Sequence, residues 1–528
     1  MTSSSRFVGL ALLSLAIALL GSVDLASAQA KTELNVGLSG LASETLDPPV
    51  AGHFVKYYLS MMYDYLVGST ADGQLSPTGG LATKWENSAD HKRWTFHLRK
   101  GVTFHNGDPV TADDVKFSLE RAAGKRSTTG YAGILRTLVD KIETPAPDRV
   151  VIVTKEPTLI IPAYLSRTLS SEGMIVPKKY IETVGDDAFA RKPIGSGPYK
   201  FVEQVTGSHI KLAAVDNHWR TGTPKYKTMT FRVVPEETTR IALLRRGEVD
   251  IAEVSRERVK ELQREGFPVQ LRREESIFSM WWVLDPNGWP APMKDKRVRE
   301  AMNVAIDRGE VVQGIFGGLA EPAPIPMGLS WAFKDIGFKP GPEMNYTYDP
   351  ARAKKLLADA GLGNGFPLDV YAFQLTGFPE GKAAAEAVAG YWEKIGIKTK
   401  LIPVDYPAFR KNWVDRKTPG AIGYFNIANR NWIGAYALLE KMAYSPSKPN
   451  DTANDPEIDG MIAQVMKQTD QQKVNTLMRN IYTRLRSEHL GMPIAYLHSA
   501  YATSKTLGKW NPGTVMYDFY LDDLAASK

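Results

Sequence analysis

Cysteine is absent from all 528 residues. That excludes disulfides, thiolate metal sites, cysteine nucleophiles and a lipid-bearing cysteine behind a leader. Long apolar runs are nearly absent too. Phe7–Leu20 is too short for a good transmembrane helix and is preceded by a single positive charge, Arg6. It reads as the core of a secretory signal peptide spanning 1–28, cleaved after Ala28 in Ala26-Ser27-Ala28, or after Ala30 in the alternative. No basic run, low-complexity linker or internal repeat occurs. With 65 Lys and Arg against 58 Asp and Glu, the formal charge of +7 is modest for this size, so nucleic acid is not an expected partner. A mildly positive cleft favouring an anionic ligand stays compatible with that charge.

Catalytic and metal signatures are missing as well. The eight histidines (53, 91, 97, 105, 209, 218, 489, 498) include no i, i+4 pair and no H-E-x-x-H, so no metal site or cofactor is expected. Gly195-Ser196-Gly197 lacks the strand–G-x-S-x-G–helix frame of a nucleophile elbow, since Pro198-Tyr199 follows where a helix should open. It reads as a tight turn between domains. Asp113-Asp114 and Asp522-Asp523 read as helix-start or surface acids.

What is present is an α/β pattern. Alternating segments at Glu33–Leu38, Arg149–Val153, Ile210–Val215 and Thr228–Val234 are interleaved with helices. One helix spans about 236–246 and stops at Gly247. A second starts at the Asp349-Pro350 cap and ends at Gly361, and a third spans about 380–395 and stops at Gly396. The most informative stretch is 93–121. Trp94, Phe96 and Leu98 alternate as a strand, Val102 and Phe104 begin a second apolar run, and Asn106-Gly107 marks a turn. Thr111 and Asp114 then have the spacing of a helix N-cap and its first-turn carboxylate.

The order of residues in 93–121 resembles the signature of the family 5 solute-binding proteins, the peptide- and nickel-binding receptors of ABC importers. Asp64, Leu66, Gly73, Pro77, Leu81-Ala82 and Trp85 are similar to that family's entry segment. The resemblance continues through Pro193-Ile194-Gly195-Ser196-Gly197-Pro198-Tyr199, Asn217-His218-Trp219 with Gly222 and Pro224, Lys296–Ala301 and Ala305-Ile306-Asp307. It implies a two-lobed periplasmic binding protein fold of type II, cluster C-like, with an extra domain inserted in the first lobe. Lobe I would use 31–73, 196–283 and 495–528, the inserted domain 74–195, and lobe II 284–494. Two crossovers would fall near Trp281–Leu284 and Ile494–His498.

The same resemblance implies a monomeric periplasmic receptor that takes up a small-molecule ligand and delivers it to ABC permease subunits in the inner membrane. A hydrolase, or a chaperone or signalling receptor on the same scaffold, are the alternatives. Expected cleft residues are Trp281 and Trp282 (at most one facing the ligand, because neighbours on a strand point oppositely), Phe373, Gln374, Phe425, Asn426, Asn429, Arg430, Trp432, Tyr496 and His498. Peptide-binding relatives carry an aspartate for the α-ammonium in the segment matching Tyr424–Trp432, and dipeptide binders an arginine near Gln374-Leu375. This chain has no acid from Tyr424 to Leu439 and no such arginine. Unmodified dipeptides are therefore expected to bind poorly, and a peptide-like solute lacking a free α-ammonium, an opine-like or acylated amino-acid conjugate, an aromatic or other organic acid, or a sugar derivative to fit better, with Arg430 pairing with an acid group.

Overall fold

The computed structural model describes residues 31–41, 44–51, 55–129, 132–169, 171–284, 288–327, 330–373, 378–405, 409, 412–413, 416–427, 432–445, 453–507, 509–513 and 518–524. The expected signal segment lies outside them. No helix among the described residues is long and apolar enough to cross a membrane.

Two sets of parallel strands carry the architecture. In one, Glu33–Leu38 is flanked by Thr228–Val233 and Ile251–Val254. In the other, Pro367–Ala372 is flanked by Lys398–Pro403 and Gly420–Ile427. Both sets are joined into one eleven-stranded sheet by two long antiparallel strands, Val269–Val283 and Met492–Thr503. Each long strand changes partners along its length. Met492–Thr503 pairs with Ile251–Val254 through Ala500–Thr503 and with Ala320–Pro322 through Ala495–Leu497. Val269–Val283 pairs with Gly420–Ile427 only from Ser276 onward. Its own register with Met492–Thr503 breaks between Arg272 and Ser276. A bulge there bends and twists the pair; it lies upstream of Trp281–Leu284, where one crossover is expected.

A separate four-stranded antiparallel sheet, in the order Ala82–Asn87, Arg93–Leu98, Arg149–Thr154, Val139–Ala146, lies within the segment expected as the inserted domain. Trp94, Phe96 and Leu98 point into its core at 7, 0 and 7 % exposure, while Arg93, Thr95 and His97 do not, which is the period-2 pattern of a half-buried strand. The helix Ala112–Ala123 follows with both halves of a capping box: Thr111 N–H donates to the Asp114 carboxylate at 2.9 Å, and the Thr111 side chain accepts the Asp114 N–H. The second apolar run is no strand. Val102 and Phe104 are buried, but only the isolated bridge Thr103–Pro109 forms around the Asn106-Gly107 turn, where Gly107 has φ 89°. Pro109 removes the donor that a longer ladder would need.

Gly195 and Gly197 pack directly on the main chain of the helix Lys56–Met62. A Cβ on Gly195 would stand 1.9 Å from the Met62 carbonyl oxygen, and one on Gly197 2.5 Å from that of Met61. Gly197 N–H donates to Met62 O at 2.9 Å, and His105 N–H to Gly195 O at 2.8 Å. The motif is a close backbone crossing, and glycine is required because nothing larger fits.

Asp522 corrects one expectation. Its carboxylate is fully buried, 2.9 Å from Arg167 Nη1 and 2.5 Å from Arg220 Nη2. Asp518, also buried, accepts from Arg167 Nε and Nη2 at 2.6 and 2.7 Å. Arg272 Nη2, at the bulge, donates to Asp518 O at 2.8 Å. The C-terminal segment is thereby strapped by hydrogen bonds and charge to Arg167, Arg220 and Arg272. Sequence pattern does not reveal this, because an Asp-Asp pair reads as solvated until its arginine partners, hundreds of positions away, are brought to it.

Candidate functional site

Ligands of open α/β sheets bind outside the carboxyl ends of the parallel strands, where chain reversals leave a crevice. Here both parallel sets end on the same gap. Lobe I contributes Ser39 and Gly40 after Glu33–Leu38, and Ser255 and Arg256 after Ile251–Val254. Lobe II contributes Phe373 after Pro367–Ala372, Val404 and Asp405 after Lys398–Pro403, and the end of Gly420–Ile427. The cleft rim on lobe I is held by carboxylates. Glu253 accepts from Ser39 N–H and Oγ at 2.9 and 2.7 Å, and Glu237 accepts the Ser255 N–H at 2.5 Å.

Among the described residues, a charged contact joins the end of one parallel set to the other. Arg256 Nη1 lies 2.7 Å from Glu380 Oε2, with side chains 3 and 13 % exposed. Glu380 stands at the N-cap of the helix Gly381–Lys394, where the helix dipole favours a carboxylate. The Arg256 guanidinium also lies 5.7 Å from the ring centroid of Phe316. Phe316, Phe278 and Phe378 form a buried aromatic group with centroids 5.1–6.4 Å apart. The ion pair is therefore backed by a buried aromatic group.

The sequence-predicted residues are placed as follows. Trp281 and Trp282 have no solvent exposure and pair with Ile422 and Ala421 beyond the bulge. Trp282 packs edge-to-face on Trp289 at 6.4 Å, and Trp281 lies against Gly491. Both are walled into lobe II. Phe373 is buried at the end of its strand, where its carbonyl packs close to Gly381. Tyr496 sits on the second long strand opposite Ile277 and Glu321, 6 % exposed. His498 is 4 % exposed, 3.9 Å from Glu321, and burial pushes its pKa down, so the imidazole is neutral at pH 7. Phe425 and Asn426 pair with Phe278 and Ile277, and Trp432 begins the helix Trp432–Ala443; these three are described by backbone alone. Gln374, Asn429 and Arg430 lie outside the described residues.

Arg256 and Glu380 were not anticipated. The available signal was positional: a charged residue just after one parallel strand, and another just before the helix that follows a second. No three His, Asp or Glu side chains cluster as metal ligands among the described residues.

Comparison with known proteins agrees with this geometry. Residues 76–454 match the family model of bacterial extracellular solute-binding proteins, family 5. The chain is 28 % identical over 442 residues to the dipeptide-binding protein of Escherichia coli K12, covering 76 % of this chain and 77 % of that one. It is 27 % identical to heme-binding protein A of Haemophilus influenzae, covering 79 and 78 %. Among solved structures, the binding protein AgaA of A. tumefaciens R10 in complex with agropinic acid superposes with a TM-score of 0.77 at 25 % identity, over 93 % of this chain and 97 % of that one. MoaA of the same source, in complex with mannopinic acid, gives 0.76 at 26 % identity, over 94 and 99 %.

Proposed function

Because the chain belongs to family 5 of the bacterial extracellular solute-binding proteins, the substrate receptors of ABC importers, we propose that it captures a small organic acid or opine-like solute between its two lobes. It is a binding protein and not an enzyme, built on the two-lobed periplasmic binding protein fold. The observation that carries the ligand reading is the buried Arg256 at the meeting of the strand ends, in a chain with no acid from Tyr424 to Leu439 to hold an α-ammonium. An unpaired buried ammonium costs several kcal/mol, and the segment in which peptide-binding relatives are expected to hold it carries no acid here. The opine acids bound by two structural relatives are in keeping with this chemistry.

Closure would be a hinge motion about the two long strands, with the register break between Arg272 and Ser276 as the natural bending point. That break supports moving the first lobe boundary from 283 to about 274, leaving 31–73, 74–195 and the remaining limits as expected. Phe373, Tyr496, His498 and the segment 424–432, with Arg430, remain proposed as cleft residues. The burial of Trp281 and Trp282 favours the core reading for both. The protein acts as a monomer, is exported through a cleaved signal peptide and carries no lipid, which the absence of cysteine supports.

The test is mass spectrometry of whatever co-purifies from the native periplasm, combined with scattering before and after ligand removal. A decrease in radius of gyration on re-addition of an acidic solute is expected. A co-purified free dipeptide that closes the protein would refute the ligand class, and an intact mass that retains Met1 would refute processing.

A further inference from the structure

Arg256 and Glu380 are incompletely partnered. The pair meets at one corner only, Nη1 to Oε2 at 2.7 Å. Among the described residues, Arg256 Nε and Nη2 and Glu380 Oε1 are buried with no hydrogen-bond partner. A buried donor or acceptor left unmade is costly, and arginine edges are ordinarily satisfied. If the contact were only a strut between lobes, one N–H would suffice, and two buried donors on the adjoining edge would have no purpose. The free edge is the Nε–Nη2 fork, whose two parallel donors match the two oxygens of a carboxylate. The free Oε1 beside it can only accept.

We propose that Arg256 and Glu380 form a two-part receptor for an α-substituted carboxylate. The ligand's carboxylate takes the Nε–Nη2 fork of Arg256, and an N–H or O–H on its α-carbon donates to Glu380 Oε1. The two halves are adjacent because the Arg–Glu contact holds them side by side, and they come from opposite lobes, so the ligand is fully bound only when the cleft is closed. Closure and recognition are thus one event. This assignment rests on the organic-acid reading above and adds the atoms that would enforce it.

The experiment uses the full mature protein, stripped of bound solute by unfolding and refolding, with intrinsic fluorescence and scattering as readouts. Three probe sets share skeletons: phenyllactate, 2-hydroxyglutarate and mannopinic acid; then 3-phenylpropionate and glutarate, which lack the α-donor; then phenyllactamide and the 1-amide of 2-hydroxyglutarate, which lack the α-carboxylate. At least one member of the first set should close the wild-type protein. Its counterpart without the α-donor should bind about tenfold more weakly, and the amide should not bind. Arg256→Gln should lose at least a hundredfold in affinity, and Arg256→Lys, which keeps the charge but not the fork, at least tenfold. Glu380→Gln should abolish the difference between acids with and without the α-donor.

Because Arg256→Gln leaves Glu380 unpaired, the double variant R256Q/E380Q is measured alongside, with circular dichroism verifying the fold. An acid that binds R256Q/E380Q as tightly as wild type overturns the assignment and leaves the receptor reading intact. Closure on amides alone overturns the assignment and the acidic ligand class. A protein that closes on none of the three sets, yet closes on its co-purified solute, overturns the assignment too. Absence of closure with any solute overturns the receptor reading itself.

Discussion

Arg167→Met should destabilise the protein by about 3–5 kcal/mol, the usual cost of removing one partner from a buried ion pair. Arg167 is 6 % exposed and holds two carboxylates at once, Asp518 at 2.6 and 2.7 Å and Asp522 at 2.9 and 3.0 Å. Burial alone would raise the Asp522 carboxyl, but Arg167 and Arg220 hold it well below the ordinary range. With Arg167 gone, Asp522 keeps Arg220, whereas Asp518 keeps, among the described residues, only neutral hydrogen-bond donors, Ser60 at 3.4 Å and the Tyr520 N–H at 3.2 Å. Lys56, whose ammonium burial has pulled down to about 8 against the attraction of the Asp518 charge, donates to Arg167 O at 2.6 Å. Most of the cost is therefore the stranded Asp518 charge. The triple variant R167M/D518N/D522N, which removes both negative charges with the positive one, should recover a large part of the loss. Urea unfolding followed by far-ultraviolet circular dichroism gives the stability, and the midpoint should fall with little change in slope. A loss under 1 kcal/mol for Arg167→Met, or a triple variant no more stable than the single one, would show that the strap is not held by these charges. Ligand affinity should be unchanged, since the cluster lies outside the cleft.

The pH dependence has a definite sign. Burial pushes His105 down from 6.5 to about 4 and His489 to about 3, so the folded protein keeps both neutral while the unfolded chain binds protons below pH 6.5. Their contribution is complete above pH 6.5 and is lost as pH falls toward 4, with His105 alone removing about 3 kcal/mol; a flat unfolding midpoint between pH 7 and 4.5 would contradict it. Gly195→Ala should cost more than about 3 kcal/mol or prevent folding, because its Cβ would lie 1.9 Å from Met62 O; a thermal shift of a degree or less would refute the close crossing. Trp282→Ala should cost about 3–5 kcal/mol as a core truncation, yet leave ligand affinity within about twofold. A selective loss of affinity with stability intact would return Trp282 to the cleft.

Much of the local structure was legible because it is fixed by neighbours in sequence. The Thr111/Asp114 box, the Asp349 cap that accepts the Arg352 N–H at 2.8 Å, and the stops at Gly247, Gly361 and Gly396 with φ of 75–99° all follow from side-chain hydrogen bonding and glycine's tolerance of positive φ. The alternation of Trp94, Phe96 and Leu98 declares a strand for the same reason. The family, and with it the two-lobed α/β fold, was legible from motifs in order, although the reason for one motif appeared only in the structure: Gly195 and Gly197 are small because Met61 and Met62 present their carbonyls there.

Tertiary structure alone decided which charges are buried and which residues face one another across the lobes. Asp522 looked solvated until Arg167 and Arg220 reached it from positions 355 and 302 residues away. Strand register places Trp281 and Trp282 beyond the bulge at Arg272–Ser276, with no solvent exposure, which no local pattern foretells. Arg256 and Glu380, 124 positions apart, carry no local pattern at all. Periodicity and capping are sums over a few adjacent residues, so the sequence can state them by itself. Long-range pairing depends on where the strand register brings each end of the chain, and that is settled only when the sheet closes.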